Sequence, residues 1–143
     1  MNFRLVSFCA LVFAGAAFGQ EPDAKSFYEL TTAGTSTQVK LGEKGKVVIE
    51  ITAKPGAHVS ADAPLSLKLT GKNAKPEKDS LKLTDSVSRP KPGEEYLNAK
   101  FEVPFAVDAV GKASVDAKLK FFICTEKVCS RQEKTFSFPV DVT

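Results

Sequence analysis

Apolar and polar residues alternate along several segments of the sequence, and this alternation constrains the fold more than any other feature. In residues 113–123 every second residue is apolar, and charged residues such as Asp116 and Lys118 lie between them. Successive side chains of an extended chain point to opposite faces, so a period of two predicts a strand that buries one face. The same pattern, and the same prediction, hold for residues 46–53, 97–107 and 136–142.

A repeated string predicts a further pair of strands. Ser-Leu-Lys-Leu-Thr occurs at residues 66–70 and again at residues 80–84. Two matching segments so close in the chain predict a hairpin. The residues between them, 71–79, combine lysines with proline and acidic residues, so we expect a solvated loop there. Short strands are also expected over residues 37–41 and 26–30.

These segments amount to about seven short strands separated by turn-forming residues, with no apolar stripe at helical spacing in residues 20–143. Such a succession is typical of an immunoglobulin-like antiparallel β-sandwich. A chain of this length is expected to form one domain around one core. The sequence has no Trp and its cysteines are not spaced as in antibody domains, so only the architecture is expected to be shared.

The N-terminal residues have the composition of a secretory signal peptide. Residues 1–19 carry one charge near their start, followed by an uncharged apolar stretch over residues 5–18. That stretch is too short to span a bilayer. Ala17 and Gly19 are small residues of the kind a signal peptidase accepts, so cleavage is expected after Gly19, with Ala17 as the alternative. The mature domain, residues 20–143, is therefore expected in a bacterial periplasm or secreted, without stable membrane insertion.

Composition argues against several classes of function. The chain has 20 basic and 17 acidic side chains, a net charge of +3 that the loss of Arg4 lowers by one, and the signs are interleaved. That distribution is unlike a nucleic-acid-binding surface. His58 is the one histidine and no glycine-rich phosphate loop occurs, so neither a metal nor another cofactor is expected. His58 itself, which follows a Pro-Gly pair, is interpreted as a polar turn residue.

Two cysteines remain after cleavage of the signal peptide. Of the three in the chain, Cys9 lies in the predicted signal peptide, which leaves Cys124 and Cys129. Cys124 ends one predicted strand and Cys129 begins the next, with four residues between them. Opposed residues of an antiparallel pair have Cα atoms about 4.5 to 5.5 Å apart, so a disulfide between them is feasible. An even number of cysteines also suits an oxidising compartment.

The small size of this loop leaves two interpretations of the disulfide. Closing the loop stabilises the fold by only about 2 kcal/mol, so the disulfide contributes little to the stability of the domain. An accessible cross-strand bond exchanges readily with thiols. Lys127 and Arg131 favour a thiolate, while Glu126 and Glu133 oppose it. From the residues alone, the pair is either a structural disulfide or a redox pair.

Three local motifs resemble those of one family of redox domains. The first is Lys-Pro-Gly-Ala-His-Val at residues 54–59, followed shortly by a proline, and the second is Gly-Glu-Glu-Tyr at residues 93–96. The third is the aromatic strand that ends in Cys124, with Cys129 shortly after it. Residues 37–143 thereby resemble the disulfide bond corrector domains, which include the N-terminal periplasmic domain of the thiol:disulfide interchange protein DsbD.

The resemblance implies an immunoglobulin-like domain that relays electrons by thiol–disulfide exchange between thioredoxin-like periplasmic proteins. Cys124 and Cys129 match the family's redox pair, with a spacing one residue shorter than in the best-known member. Glu94, Glu95 and Tyr96 match the loop that caps the active cysteines in the family, which predicts the Tyr96 ring over the disulfide as a removable lid. The other interpretation of Tyr96 is a half-buried residue at the start of a strand.

A second function stays open beside this relay, because a fold does not imply a function. It is a non-catalytic β-sandwich that acts as a binding or structural module, in which the same disulfide only pins a hairpin. The redox potential separates the two. A relay is expected at roughly −270 to −120 mV, and a structural bond below about −300 mV.

Overall fold

The computed structural model describes residues 23–143, and the predicted signal peptide, residues 1–19, lies outside the described residues. Two short 3-10 helices cover Ala24–Phe27 and Leu83–Asp85. No helix in the described part of the chain is long and apolar enough to cross a membrane. The strands are β1 (Tyr28–Thr31), β2 (Gln38–Val39), β3 (Lys44–Ala53), β4 (Ala57–Val59), β5 (Ser66–Lys72), β6 (Ala74–Pro76), β7 (Ser80–Leu81), β8 (Asn98–Val107), β9 (Gly111–Thr125) and β10 (Cys129–Val142).

The strands form two sheets that pack against each other. One sheet has the order β1-β3-β8-β6, and the other has the order β2-β10-β9-β5-β7, with β4 also paired to β9. The pairs are antiparallel except that β2, only two residues long where residues 37–41 were expected, runs parallel to β10. The predicted immunoglobulin-like β-sandwich is confirmed. The described residues form ten strands where about seven were expected, because turns such as Pro55–Gly56 set off short additional strands such as β4. The strands β9 and β10 are longer than the segments expected over residues 113–123 and 136–142.

The apolar faces of both sheets meet in one core. On β9 the buried residues from Ala113 to Ile123 are the odd-numbered ones, as the alternation predicts. Phe101 and Phe105 of β8 and Phe121 of β9 are fully buried among them. Burying a side chain of this kind contributes about 1.5 to 3 kcal/mol, so these rings are among the main stabilising groups of the sandwich.

The long strand β9 organises the second sheet. Along one edge it pairs with the whole of β10, beginning with Cys129 opposite Cys124. Two strands share its other edge: β5 pairs with residues 114–120, and β4 pairs with residues 123–125. The strand β4 is therefore held at the end of β9 that carries the cysteine hairpin.

The two copies of the repeated string pair as expected, but the second copy is a short strand. Leu67 lies opposite Leu81 in the antiparallel pair of β5 and β7. Beyond Leu81 the chain forms a 3-10 helix, in which the Asp85 carboxylate accepts a hydrogen bond from the Lys82 backbone N–H at 2.8 Å. This hydrogen bond, followed by one from Lys78, lowers the pKa of Asp85.

Residues 71–79 are largely exposed, as expected, but much of the segment is strand where a loop was expected. β5 extends into this segment as far as Lys72, and β6 then lies in the other sheet, paired with β8. The crossing is tight: Asn73 has a φ of 55°, and a Cβ at Gly71 would lie 1.7 Å from the Ala74 carbonyl oxygen. Only glycine fits at that position, because the backbone of the crossing occupies the space of a side chain.

Residues 26–30, expected as a strand, contain the end of the first 3-10 helix and the start of β1. Tyr28 packs edge-on against Phe121, with ring centroids 5.0 Å apart. Its hydroxyl donates a hydrogen bond to Gln132 Oε1 at 2.9 Å, which links the two sheets. Burial raises the pKa of Tyr28, with a smaller contribution from Asp23.

Candidate functional site

The turn between β9 and β10 brings the two cysteines together, as predicted. Cys124 lies directly opposite Cys129, their Cα atoms are 4.0 Å apart, and a disulfide joins them. The Thr125 N–H donates to the Val128 carbonyl at 2.8 Å. The Thr125 hydroxyl accepts from the N–H groups of Lys127 and Val128, each at 3.3 Å. Hydrogen bonds within the turn therefore hold its shape together with the disulfide.

The disulfide lies on the outer face of the second sheet. Ile123 is buried in the core, and the alternation along β9 therefore places Cys124 on the opposite face. Although it lies on that face, Cys124 is only 3% exposed, whereas Cys129 is exposed. The disulfide thus joins one shielded cysteine to one exposed cysteine.

His58 lies in the same row as the disulfide. In the register of the sheet, His58 of β4 is opposite Cys124, which in turn is opposite Cys129. Directly opposed residues share a face, with Cβ atoms about 4.5 to 5.5 Å apart. The imidazole therefore stands beside the shielded cysteine on the outer face, and its side chain is 26% exposed.

The interpretation of His58 as a turn residue is wrong, because the residue lies in a strand. The turn is the Pro55–Gly56 pair before it. Ala57 and Val59 on either side of His58 are both buried in the core. The missed signal is this apolar-polar-apolar triplet, which is one short unit of the alternation that identified the longer strands.

Of the two acidic residues predicted to cap the cysteines, Glu95 is the one that reaches this row. Glu95 Oε2 lies 3.3 Å from His58 Nδ1, and the Glu95 side chain is 64% exposed. Glu94 is exposed, and its carboxylate approaches the backbone N–H of Lys91 at 3.4 Å instead. Of the two carboxylates in the predicted cap loop, only that of Glu95 therefore contacts the row of His58 and the two cysteines.

Tyr96 lies on the core side of the sheet. Its backbone forms an antiparallel bridge with Val59, whose N–H donates to the Tyr96 carbonyl at 2.8 Å. Bridge partners share a face, and the half-buried ring packs against the hydrophobic core. Cys124 and Cys129 lie on the opposite face. This placement favours a residue at the start of a strand over a lid on the disulfide.

Charged residues cover the outer face next to the disulfide on β10. Arg131 follows Cys129 on this face, and its Nη2 lies 3.6 Å from Glu133 Oε2. Lys118 Nζ lies 3.1 Å from Glu133 Oε1. The hydrogen bond from Lys118 is the main reason that the pKa of Glu133 is lowered. Glu133 therefore forms exposed ion pairs with Lys118 and Arg131 on this face.

A groove of about 830 Å³ lies on the other side of the cysteine hairpin. Much of its lining is apolar and includes Phe27, Pro55, Ile123 and Val128. Ile123 belongs to the core face of β9, whereas the disulfide lies on the outer face. The groove and the disulfide are therefore two distinct surfaces separated by the sheet.

The fold and the site together define an immunoglobulin-like β-sandwich with a half-accessible cross-strand disulfide and an adjacent His–Glu pair. Thiol–disulfide exchange begins with attack of a thiolate on a disulfide sulfur, and of the two cysteines here Cys129 is the exposed one. Among residues 23–143 no group of three or more His, Cys, Asp or Glu side chains is arranged to hold a metal ion.

No protein-family model matches the chain, and none of the curated proteins matches it. Among solved structures, a cohesin module from a family 33 glycoside hydrolase of Clostridium perfringens is similar, with a TM-score of 0.47 and 12% identity over 82% of this chain and 97% of that module. A lipoprotein from Bacteroides thetaiotaomicron is similar with a TM-score of 0.44 and 13% identity, over 84% of this chain and 81% of the lipoprotein. Neither likeness bears on the chemistry of the site.

Proposed function

We propose that this protein is an exported thiol–disulfide exchange domain that relays electrons through Cys124 and Cys129. The observation that carries the proposal is the asymmetry of the disulfide: Cys129 is exposed, while Cys124 is 3% exposed. Exchange requires one sulfur that a partner's thiolate can reach, and a purely structural bond has no such requirement.

In the proposed reaction a thiolate of a thioredoxin-like partner attacks the Cys129 sulfur. The bond between the two cysteines breaks, its electron pair moves to Cys124, and Cys129 forms a mixed disulfide with the partner. The partner's second thiolate then attacks the partner sulfur of that mixed disulfide and releases Cys129. The partner dithiol is oxidised to a disulfide, and the domain gains two electrons and two protons. The reverse sequence passes them to an oxidised partner.

Two further observations support this function. Residues 54–59 and 93–96 resemble motifs of the disulfide bond corrector domains, and His58 and Glu95 of these two motifs meet beside the disulfide. A signal peptide over residues 1–19, as their composition predicts, would direct the chain to a compartment in which thioredoxin-like proteins exchange disulfides. For these reasons we propose the bacterial periplasm as its location.

The redox potential of the disulfide tests the proposal. The mature protein is equilibrated in thiol–disulfide buffers of known potential, its free thiols are alkylated, and the modified fraction is measured by mass spectrometry. We expect no alkylation of the oxidised protein and a midpoint within roughly −270 to −120 mV. A midpoint below about −300 mV contradicts the relay.

Two single-cysteine variants test the predicted asymmetry. Cys124→Ala keeps the exposed thiol, and Cys129→Ala is the matched control that keeps the shielded one. Each is mixed with a thioredoxin whose remaining active-site cysteine is activated by thionitrobenzoate, and release of the coloured thiol reports formation of the mixed disulfide. We expect rapid release with Cys124→Ala alone. Equal rates for the two variants argue against attack at Cys129.

The alternative is a non-catalytic binding or structural module, and the groove beside Phe27 and Val128 is the observation that favours it. Binding in that groove would not need exchange, because the disulfide lies on the other face of the sheet. A potential below about −300 mV, together with no reaction in the thioredoxin assay, would leave this function as the better explanation.

A further inference from the structure

We propose that His58 is the acid of this exchange: it protonates the Cys124 sulfur as the disulfide opens, and Glu95 positions its ring. This inference rests on the proposed function and deepens it, because it assigns a residue to the leaving sulfur. Glu95 acts only through His58 and is therefore a positioning residue.

The geometry places the imidazole next to Cys124 and away from Cys129. His58, Cys124 and Cys129 occupy one row across β4, β9 and β10, with Cys124 in the middle. Side chains of directly opposed residues are neighbours on the same face of a sheet. The Glu95 carboxylate lies 3.3 Å from Nδ1, which leaves Nε2 as the ring nitrogen available for Cys124.

Cys124 is the sulfur that needs assistance. When a thiolate attacks Cys129, the electron pair of the broken bond moves to Cys124, which is 3% exposed. Burial disfavours a charged thiolate, and a thiol that is a weaker acid leaves more slowly. Opening the bond is therefore accelerated by a proton supplied at the position where the negative charge develops.

The other charged groups around this row do not supply that proton. Arg131 is on the same face of β10, but a guanidinium keeps its proton throughout the physiological range. Glu126 and Lys127 are exposed in the turn beyond Cys124. Glu95 faces His58 from the loop before β8.

The core side of β4 contributes no titratable group either. Ala57 and Val59 are the residues that face the core, and both are buried. Among residues 23–143, Glu95 is the one acidic side chain whose carboxylate lies within 4.0 Å of the imidazole. Histidine is also the side chain that ordinarily exchanges protons between about pH 5 and 8.

Atoms, electrons and charge are conserved in this step. The incoming thiolate forms a bond to the Cys129 sulfur, the bond between the two cysteine sulfurs breaks, and Cys124 takes its electron pair together with the proton from His58. The imidazole ends neutral and recovers a proton from water. The sum is one thiolate, one disulfide and one proton giving one mixed disulfide and one thiol.

The test is the pH dependence of disulfide reduction by dithiothreitol. The rate is divided by the concentration of the dithiothreitol thiolate, which removes the titration of the reductant. We expect the resulting rate constant of the wild type to be about tenfold higher at pH 5.5 than at pH 8.5. This increase is smaller than the roughly 100-fold acceleration typical of a well-positioned acid, because the imidazole is partly exposed. In His58→Gln the same rate constant should not change over this range.

Glu95→Gln and Glu94→Gln form a matched pair of variants, because both carboxylates are exposed and only Glu95 contacts the imidazole. We expect Glu95→Gln to reduce the pH effect at least about threefold and Glu94→Gln to keep it, since a positioned acid loses efficiency with its orientation. A pH effect that persists in His58→Gln overturns the proposal. If His58→Gln does not fold, an unchanged pH effect in Glu95→Gln overturns it instead.

This experiment separates failure of the inference from failure of the proposed function. The small thiol needs no partner, so the pH effect is measurable whether or not the protein is a relay. A disulfide potential below about −300 mV would reject the relay and leave the role of His58 in opening the bond intact. A relay potential with no pH effect would reject the role of His58 alone.

Discussion

Reducing the disulfide between Cys124 and Cys129 is expected to destabilise the domain without unfolding it. The two residues are separated by 5 positions in the chain, and closing so small a loop removes unfolded-state entropy worth about 2 kcal/mol. A domain of this size has a free energy of unfolding of about 5 to 15 kcal/mol. The register of β9 with β10 extends far beyond the cysteines, to Val142 opposite Gly111, so the hairpin keeps its pairing without the bond.

Truncation of a core aromatic residue gives a loss of unfolding free energy with which the loss of the disulfide can be compared. Phe121 is fully buried and meets the edge of Tyr28, so Phe121→Ala should cost about 3 to 5 kcal/mol. Loss of the disulfide should therefore be less damaging than loss of one ring from the core. This ranking of the two losses in unfolding free energy depends less on the absolute values than either loss does.

The assay is urea denaturation followed by far-UV circular dichroism, with and without a phosphine reductant. A loss of 2 kcal/mol lowers the midpoint by about 1 M, for a slope of about 2 kcal/mol per molar urea. The double variant Cys124→Ala/Cys129→Ala is the control, and its midpoint should not respond to the reductant. Unfolding of the reduced wild type without urea, or a cost above that of Phe121→Ala, would refute the entropy argument.

Three further changes test individual contacts. Tyr96→Ala should lower the melting temperature, because the ring packs against the core. Reduction of the disulfide by dithiothreitol should become faster only in proportion to that loss of stability. Faster reduction at an unchanged melting temperature would support the lid. Gly45→Ala should cost about 1 to 3 kcal/mol in urea denaturation, because its Cβ would lie 2.2 Å from Phe105 Cζ, and an unchanged midpoint would show that the ring moves aside. Asp85→Asn removes a carboxylate whose pKa is lowered chiefly by the Lys82 N–H. Its contribution to stability is present above the ordinary pKa of Asp and lost as the pH falls through the lowered pKa. The melting temperatures of variant and wild type should therefore differ at pH 7 and converge as the pH falls well below the ordinary pKa of Asp.

The alternation of the sequence determined the long strands because its information is local. In residues 113–123 the order of apolar and polar residues alone defines which face of the strand is apolar, and the structure buries that face. The cysteine hairpin was predictable for the same reason, since four residues between two strands leave few ways to connect them. For residues 71–79 the solvent exposure was predictable but the strands were not, because the lysines give no sign of the crossing between sheets, in which β6 pairs with β8.

The surroundings of the disulfide were decided by the tertiary structure. His58 and Cys124 are far apart in the sequence, and they become neighbours because β4 occupies the edge of β9 beyond the end of β5. The bridge to Val59 likewise places Tyr96 on the core face and leaves Glu95 to meet His58 on the other side. An alternating segment shows that it has two faces, but the pattern is the same for every partner strand. Which strand lies beside it, in which register, depends on how all the strands share one core.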